Sequence, residues 1–341
     1  IGIESLIGTN ASGTITGADT LYATRVNYLD AGTGNDIVYI NDSMSGSITV
    51  KGGGGEDTLV FLGPDSLTGG NWTDADFANV SGFEIISLAD SVSTSLELGA
   101  NAANAFNNLI VKGGTGNEVI DARNYTEAIT INGNDGNDTI YGSVYADSLN
   151  GGAGNDVILA GNGNNKLIGG RGSDSVVGGT GADLFVVDTI DAVAGDLDQD
   201  SYIGGTGGQD TLVFNSIVDG SEFDLSNDYV SQIEVFSYGE ADPSVSMTGA
   251  QAADSNVVSI LGSVSTTDRL VLTSAANVSF LGRMAGIESI LGSGGNDSIV
   301  GPDYTLVIAG GSGNDTLIGT SAGGDSLYGE ADNDLLIGAS G

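Results

Sequence analysis

Oxygen-bearing side chains recur at fixed spacing between residues 133 and 186, where six consecutive nonapeptides read GNDGNDTIY, GSVYADSLN, GGAGNDVIL, AGNGNNKLI, GGRGSDSVV and GGTGADLFV. Their sixth positions are Asp138, Asp147, Asp156, Asn165, Asp174 and Asp183, and their eighth positions are Ile140, Leu149, Ile158, Leu167, Val176 and Phe185. Carboxylates in phase with glycines have the spacing of ligands rather than of an acid–base pair. Glycine tolerates left-handed backbone, which lets carbonyl oxygens converge. A hard divalent cation such as calcium takes about six to eight oxygens from carboxylates and carbonyls in a flexible geometry. Magnesium, smaller and stricter, suits such a cage less well.

The elements that must position these groups follow from the same period. A glycine-rich loop of six residues turns the chain and three residues of strand follow, the middle side chain pointing inward. Two nonapeptides make one coil, so acids on the same edge lie eighteen residues apart in neighbouring coils. Asp138, Asp156 and Asp174 are expected in one column, and Asp147, Asn165 and Asp183 in the other. Tyr145 and Ala160 replace glycines and Asn165 replaces Asp, so the second column is expected to bind more weakly. A second block, from 292 to 337, reads GSGGNDSIV, GPDYTLVIA, GGSGNDTLI, GTSAGGDSLY and GEADNDLLI. Asp297, Asp315 and Asp334 share its edge, Leu306 stands where the opposite edge wants an acid, and the ten-residue unit leaves Asp325 out of step. Isolated copies place further candidate ligands at Asp19 (GADTLYA), Asp36 (GTGNDIVYI), Asp57 (GGGGEDTLVF) and Asp210 (GTGGQDTLVF), and Glu118 in GGTGNEVID is a longer carboxylate in the same place. Asp196, Asp198 and Asp200 in DLDQDSYIG open like a DxDxD calcium loop, although Ser201 stands where glycine is usual; a solvated acidic turn is the alternative.

The nonapeptides resemble the RTX family, whose repeat is GGxGxDxUx. The resemblance implies an all-β chain, a parallel β-roll or β-solenoid built from glycine-rich calcium repeats with a few short helical insertions, holding several calcium ions and exported by type I secretion. Expected segments are degenerate repeats at 1–62, a β-rich insertion with short helices at 63–112, the main roll at 113–186, a second copy of the β-rich unit at 187–285 with one repeat at 204–214, and a C-terminal roll at 286–341. The two β-rich units share anchors, Asp57 to Glu84 and Asp210 to Glu234. Glutamates in GIESLIG, GFEIISL, QIEVFSY and GIESILG (Glu4, Glu84, Glu234, Glu288) sit among alternating apolar residues and are expected to be hydrogen-bonded or exposed on strands rather than to bind metal or carry protons. Short helices are expected at Thr73–Val80, Ala100–Asn107 and Thr248–Ala253.

Composition narrows the function. The 341 residues include 57 Gly, 45 Asp plus Glu and only 8 Lys plus Arg, a net charge of -37, so a compact fold needs bound cations to offset self-repulsion. Eight scattered basic residues make nucleic acid a poor partner, and no apolar run long enough for direct membrane insertion appears. Without Cys or His there are no disulfides, no thiolate metal sites and no imidazole base, and Ser321 in GTSAG has no His to activate it. The chain starts without Met and stops inside a repeat, as a piece of a longer polypeptide would. We expect a non-enzymatic, extracellular structural protein similar to the RTX assembly region of bacterial surface-layer proteins. Self-association into a lattice or filament is expected, with cell-surface polysaccharide as a further partner. The alternatives are a calcium-rigidified segment of a large adhesin and an accessory roll of a secreted epimerase, protease or lipase.

Overall fold

A computed structural model describes residues 5–7, 20–22, 28–40, 49–62, 71–88, 93–188, 199–215, 222–239, 244–263, 268–321 and 324–339. Contacts divide the chain into two units, Ile1–Thr180 and Gly181–Gly341, and each is a parallel β-solenoid.

In the first unit one stack runs through Ile37–Ile40, Thr58–Phe61, Phe83–Leu88, Phe106–Lys112, Thr130–Asp135, Ser148–Ala153 and Lys166–Arg171. A second stack runs through Ser95–Glu97, Val119–Asp121, Thr139–Tyr141, Val157–Asn162 and Ser175–Thr180. Partners such as Thr139 with Val157 and Val157 with Ser175 are eighteen residues apart, so each coil is two nonapeptides, as the period requires. The second unit repeats the plan, with Ser298–Val300 pairing Thr316–Ile318 and Thr316–Ile318 pairing Leu335–Ile337 in parallel.

Side-chain alternation places the eighth residue of the nonapeptides inside the coil, except in GEADNDLLI, where Leu336 is exposed. Ile140, Leu149, Ile158, Leu167 and Val176 in the first unit and Phe185 in the second are all buried. Each such aliphatic contributes about 1.5–3 kcal/mol relative to exposure. The two-nonapeptide coil is too narrow for much else. Where a coil lengthens, aromatics fill the extra width: Phe61 packs 4.2 Å from Trp72 and 6.2 Å from Phe77, and Phe77 lies 5.4 Å from Phe106. The second unit does the same with Phe214, which lies 5.4 Å from Phe223 and 5.8 Å from Tyr238.

The wide coils also carry the short helices, which are shorter than the sequence suggests. A 3-10 helix spans Asp74–Phe77, and α-helices span Ala100–Ala105 and Gly249–Ala252. Thr73 precedes the first, with its N–H and hydroxyl both donating to Asp76 Oδ2 at 2.9 and 3.0 Å. The wall reclaims the remaining residues: Val80 opens the pair Val80–Ser81, and Phe106 begins the strand Phe106–Lys112. Asp74 accepts the N–H groups of Gly99, Asn101 and Ala102 at 2.8, 3.1 and 2.9 Å, satisfying donors that a helix start leaves open.

Candidate metal centre

Most glycine loops end on an acid, or in one case on Asn165, whose side-chain oxygen is drawn beneath the next strand because the preceding coil offers it a backbone donor. Asp138 N–H donates to Asp156 Oδ1 and Asp156 N–H to Asp174 Oδ1, both at 2.7 Å. Glu118 N–H donates to Asp138 Oδ1 at 2.7 Å, extending the column by one coil. The other edge is joined likewise, Ile129 N–H to Asp147 Oδ1 and Asp147 N–H to Asn165 Oδ1, both 2.9 Å. In the second unit Asp183 N–H reaches Asp210 Oδ1 at 2.8 Å. The C-terminal roll links Asp297 to Asp315 at 2.8 Å and Asp315 to Asp334 at 3.0 Å. Asp36 N–H meets Asp57 Oδ1 at 2.8 Å. These ladders run through the core: Asp36, Asp57, Glu118, Asp138, Asp147, Asp156, Asn165, Asp174, Asp183, Asp210, Asp297 and Asp315 are all buried.

The glutamate phrases end or bridge the ladders. Asp57 N–H donates to Glu84 Oε2, Asp210 N–H to Glu234 Oε2 and Asp268 N–H to Glu288 Oε2, each at 2.8 Å. The anchors of the two β-rich units are thus direct hydrogen-bond partners. A glutamate suits this place because its extra methylene spans a coil longer than eighteen residues. Asp268 is a ladder member that sequence reasoning missed: in GSVSTTDRLVL it stands six residues after Gly262 instead of five, which hides the nonapeptide, although an acid followed by alternating apolar residues was a usable signal. Asp325 stays in its ladder despite the longer repeat, accepting Leu306 N–H at 3.2 Å. Asp200 is buried, accepts the Tyr202 hydroxyl at 2.8 Å and has its N–H on Asp228 Oδ1 at 3.2 Å, which places it in a ladder rather than in an open acidic turn. Asp19, Asp196, Asp198 and Glu4 lie outside the described residues.

In several of these acids one carboxylate oxygen closes the ladder and the other is left over. Asp57, Asp138, Asp156 and Asp315 each have a buried Oδ2 with no hydrogen-bond partner, and Glu118 Oε1 is in the same position. A buried carboxylate oxygen without a donor is costly unless something compensates it. Burial accordingly pushes Asp138 up to about 7, and Asp57, Asp156 and Asp210 up to about 6, from an ordinary 3.8. The space beside these oxygens is reserved by the first glycine of each loop. A Cβ built on Gly133 would fall on Asp138 Oδ2 and the Gly151 carbonyl, and one on Gly151 on Asp156 Oδ2 and the Gly169 carbonyl. Among the described residues no three acidic side chains meet at one point, so carbonyls must supply most of any ligand set. An orphaned carboxylate oxygen among converging carbonyls is the donor set of a hard cation, and calcium fits it. Replacing Gly151 with Ala is expected to lower thermal stability in calcium by about 1–3 kcal/mol, the usual range for overpacking; an unchanged melting temperature would show that the cradle has room to spare.

A parallel β-solenoid with buried carboxylate columns under glycine loops defines a cation-binding β-roll. Four segments, residues 132–167, 159–189, 284–301 and 309–341, match the RTX calcium-binding nonapeptide repeat. The chain therefore carries RTX repeats, which imply calcium binding and are structural rather than catalytic elements. Comparison with curated proteins and with solved structures gave no match.

Proposed function

We propose that this chain is an extracellular structural protein whose repeats bind calcium in order to fold and then self-assemble, as in a bacterial surface layer. The observation that carries the reading is the set of orphaned, buried carboxylate oxygens in a chain of net charge -37. Asp57, Asp138, Asp156, Asp174, Asp183, Asp210 and Asp315 would supply the carboxylate ligands and the glycine loops the carbonyls; Asp19, Asp36, Asp196 and Asp198 are further candidates. Calcium supplies the positive charge that lets ionised columns stack. Extracellular modules bind calcium at roughly 10⁻⁴ to 10⁻³ M, so export into calcium would coincide with folding.

The test is size-exclusion chromatography and electron microscopy in millimolar calcium and in chelator. Ordered sheets or filaments in calcium alone are expected. A dispersed monomer under both conditions would remove self-assembly and leave the calcium-rigidified adhesin segment as the better reading.

A further inference from the structure

The second residue of the loop divides the Asp carboxylates into two kinds, while Glu118 stands apart, accepting the Gly114 N–H on Oε2 at 3.1 Å and keeping Oε1 unpartnered. Above Asp57, Asp138, Asp156 and Asp315 it is Gly53, Asn134, Gly152 and Gly311, with φ of 111°, 72°, 115° and 102°, and in all four Oδ2 is orphaned. Above Asp147, Asp297 and Asp325 it is Ser143, Ser293 and Thr320, none of which has a left-handed φ. In these loops the peptide N–H turns onto the carboxylate instead. Ser143 N–H donates to Asp147 Oδ2 at 2.7 Å, and its hydroxyl lies 2.9 and 3.0 Å from Oδ1 and Oδ2. Ser293 N–H and hydroxyl reach Asp297 Oδ2 at 2.8 and 3.0 Å, and Thr320 N–H reaches Asp325 Oδ2 at 2.9 Å. Ser263 N–H closes on Asp268 in the same way. Asn165 achieves a similar end from the other side: its Nδ2 donates to the carbonyls of Gly163 at 3.3 Å and Asn162 at 3.5 Å.

We infer that calcium enters only the loops whose second residue is left-handed, and that Ser or Thr at that position seals a loop with hydrogen bonds that replace the ion. The inference rests on the calcium reading above and specifies which sites carry it out. An N–H aimed at Oδ2 satisfies the buried carboxylate and presents a positive dipole end where the cation would sit. A left-handed residue turns that peptide away and leaves Oδ2 to the metal. In the main roll the open loops of Asp138 and Asp156 therefore share one edge, and the loops of Asp147 and Asn165, closed by their own hydrogen bonds, share the other; Asp147, Asp268, Asp297 and Asp325 are structural.

The experiment counts bound calcium per full chain by atomic emission after equilibrium dialysis, with circular dichroism to establish that each variant is folded. Asp315→Asn tests the underlying reading: loss of one ion is expected, because an amide can keep the ladder bond through Oδ1 as Asn165 does, and an unchanged count would overturn calcium binding at these carboxylates. Ser293→Gly is expected to gain one ion, since it restores GGGGND, and Ser293→Ala to gain none, because the backbone N–H remains. Gly311→Ser is expected to lose one ion by sealing the Asp315 loop. If Asp315→Asn loses its ion while folded Ser293→Gly binds no more than the parent, or folded Gly311→Ser binds no less, the calcium reading stands and the sealing rule is wrong.

Discussion

Removing calcium with chelator at pH 7.5 is expected to abolish most of the far-ultraviolet β signal of this chain and its cooperative melt, and restoring calcium to about 10 mM should return both. The size of the effect follows from mass action. A site filled at about a hundred times its dissociation constant stabilises the fold by about 2.7 kcal/mol. Four sites, at Asp57, Asp138, Asp156 and Asp315, would then contribute roughly 11 kcal/mol, as much as the whole stability of an ordinary domain at about 5–15 kcal/mol. Without the ions each of those carboxylates keeps a buried oxygen with no partner, inside a chain that already carries -37. Identical dichroism and melting temperature with and without metal would refute the role assigned to the ladders.

Acid is expected to substitute for calcium. In the metal-free protein the ladder carboxylates titrate high when folded, Asp138 at about 7 and Asp57, Asp156 and Asp210 at about 6, because burial disfavours their charge, whereas each starts from 3.8. A group whose folded value is raised stabilises the fold fully below its unfolded value, and that stabilisation is lost as pH rises through the folded value. Chelated protein should therefore be least ordered above pH 7 and should gain β structure on acidification between about pH 7 and 5, steeply because several protons bind together. Protonation also reduces the overall repulsion. Calcium affinity should move the opposite way, falling as protons compete for the same oxygens. Dichroism in chelator from pH 8 to 4, beside calcium titrations at pH 7.5 and 6, measures both. Near-ultraviolet dichroism from the Phe61–Trp72 contact distinguishes native packing from a collapsed acid state. A chelated chain that only loses structure on acidification would contradict the assignment.

The period of eighteen and the apolar eighth position are local properties of the chain, and they were enough to place Asp138, Asp156 and Asp174 in one column and to bury Ile140, Ile158 and Val176. They also aligned Asp297, Asp315 and Asp334. A repeat can be read in this way because every coil meets a near copy of itself, so a single nonapeptide already contains the contacts of its neighbours. The helices were legible in place but not in length, since the solenoid wall competes for Val80 and Phe106 and prevails.

Which carboxylates retain a free oxygen was decided by the tertiary structure. Asp147 and Asp156 occupy equivalent positions in adjacent nonapeptides, yet Ser143 closes one and Gly152 leaves the other open. The difference depends on where a peptide N–H only four residues before the acid points after the chain has coiled, because the donor eighteen residues away reaches Oδ1 in both. The same holds for Glu84 and Glu234, which in sequence look like ordinary strand glutamates and in the fold receive the ladder from Asp57 and Asp210. Sequence by itself set the repeat, its core and the columns of acids; only folding, by fixing where each N–H points, determined which carboxylates have both oxygens engaged and which keep one unpartnered.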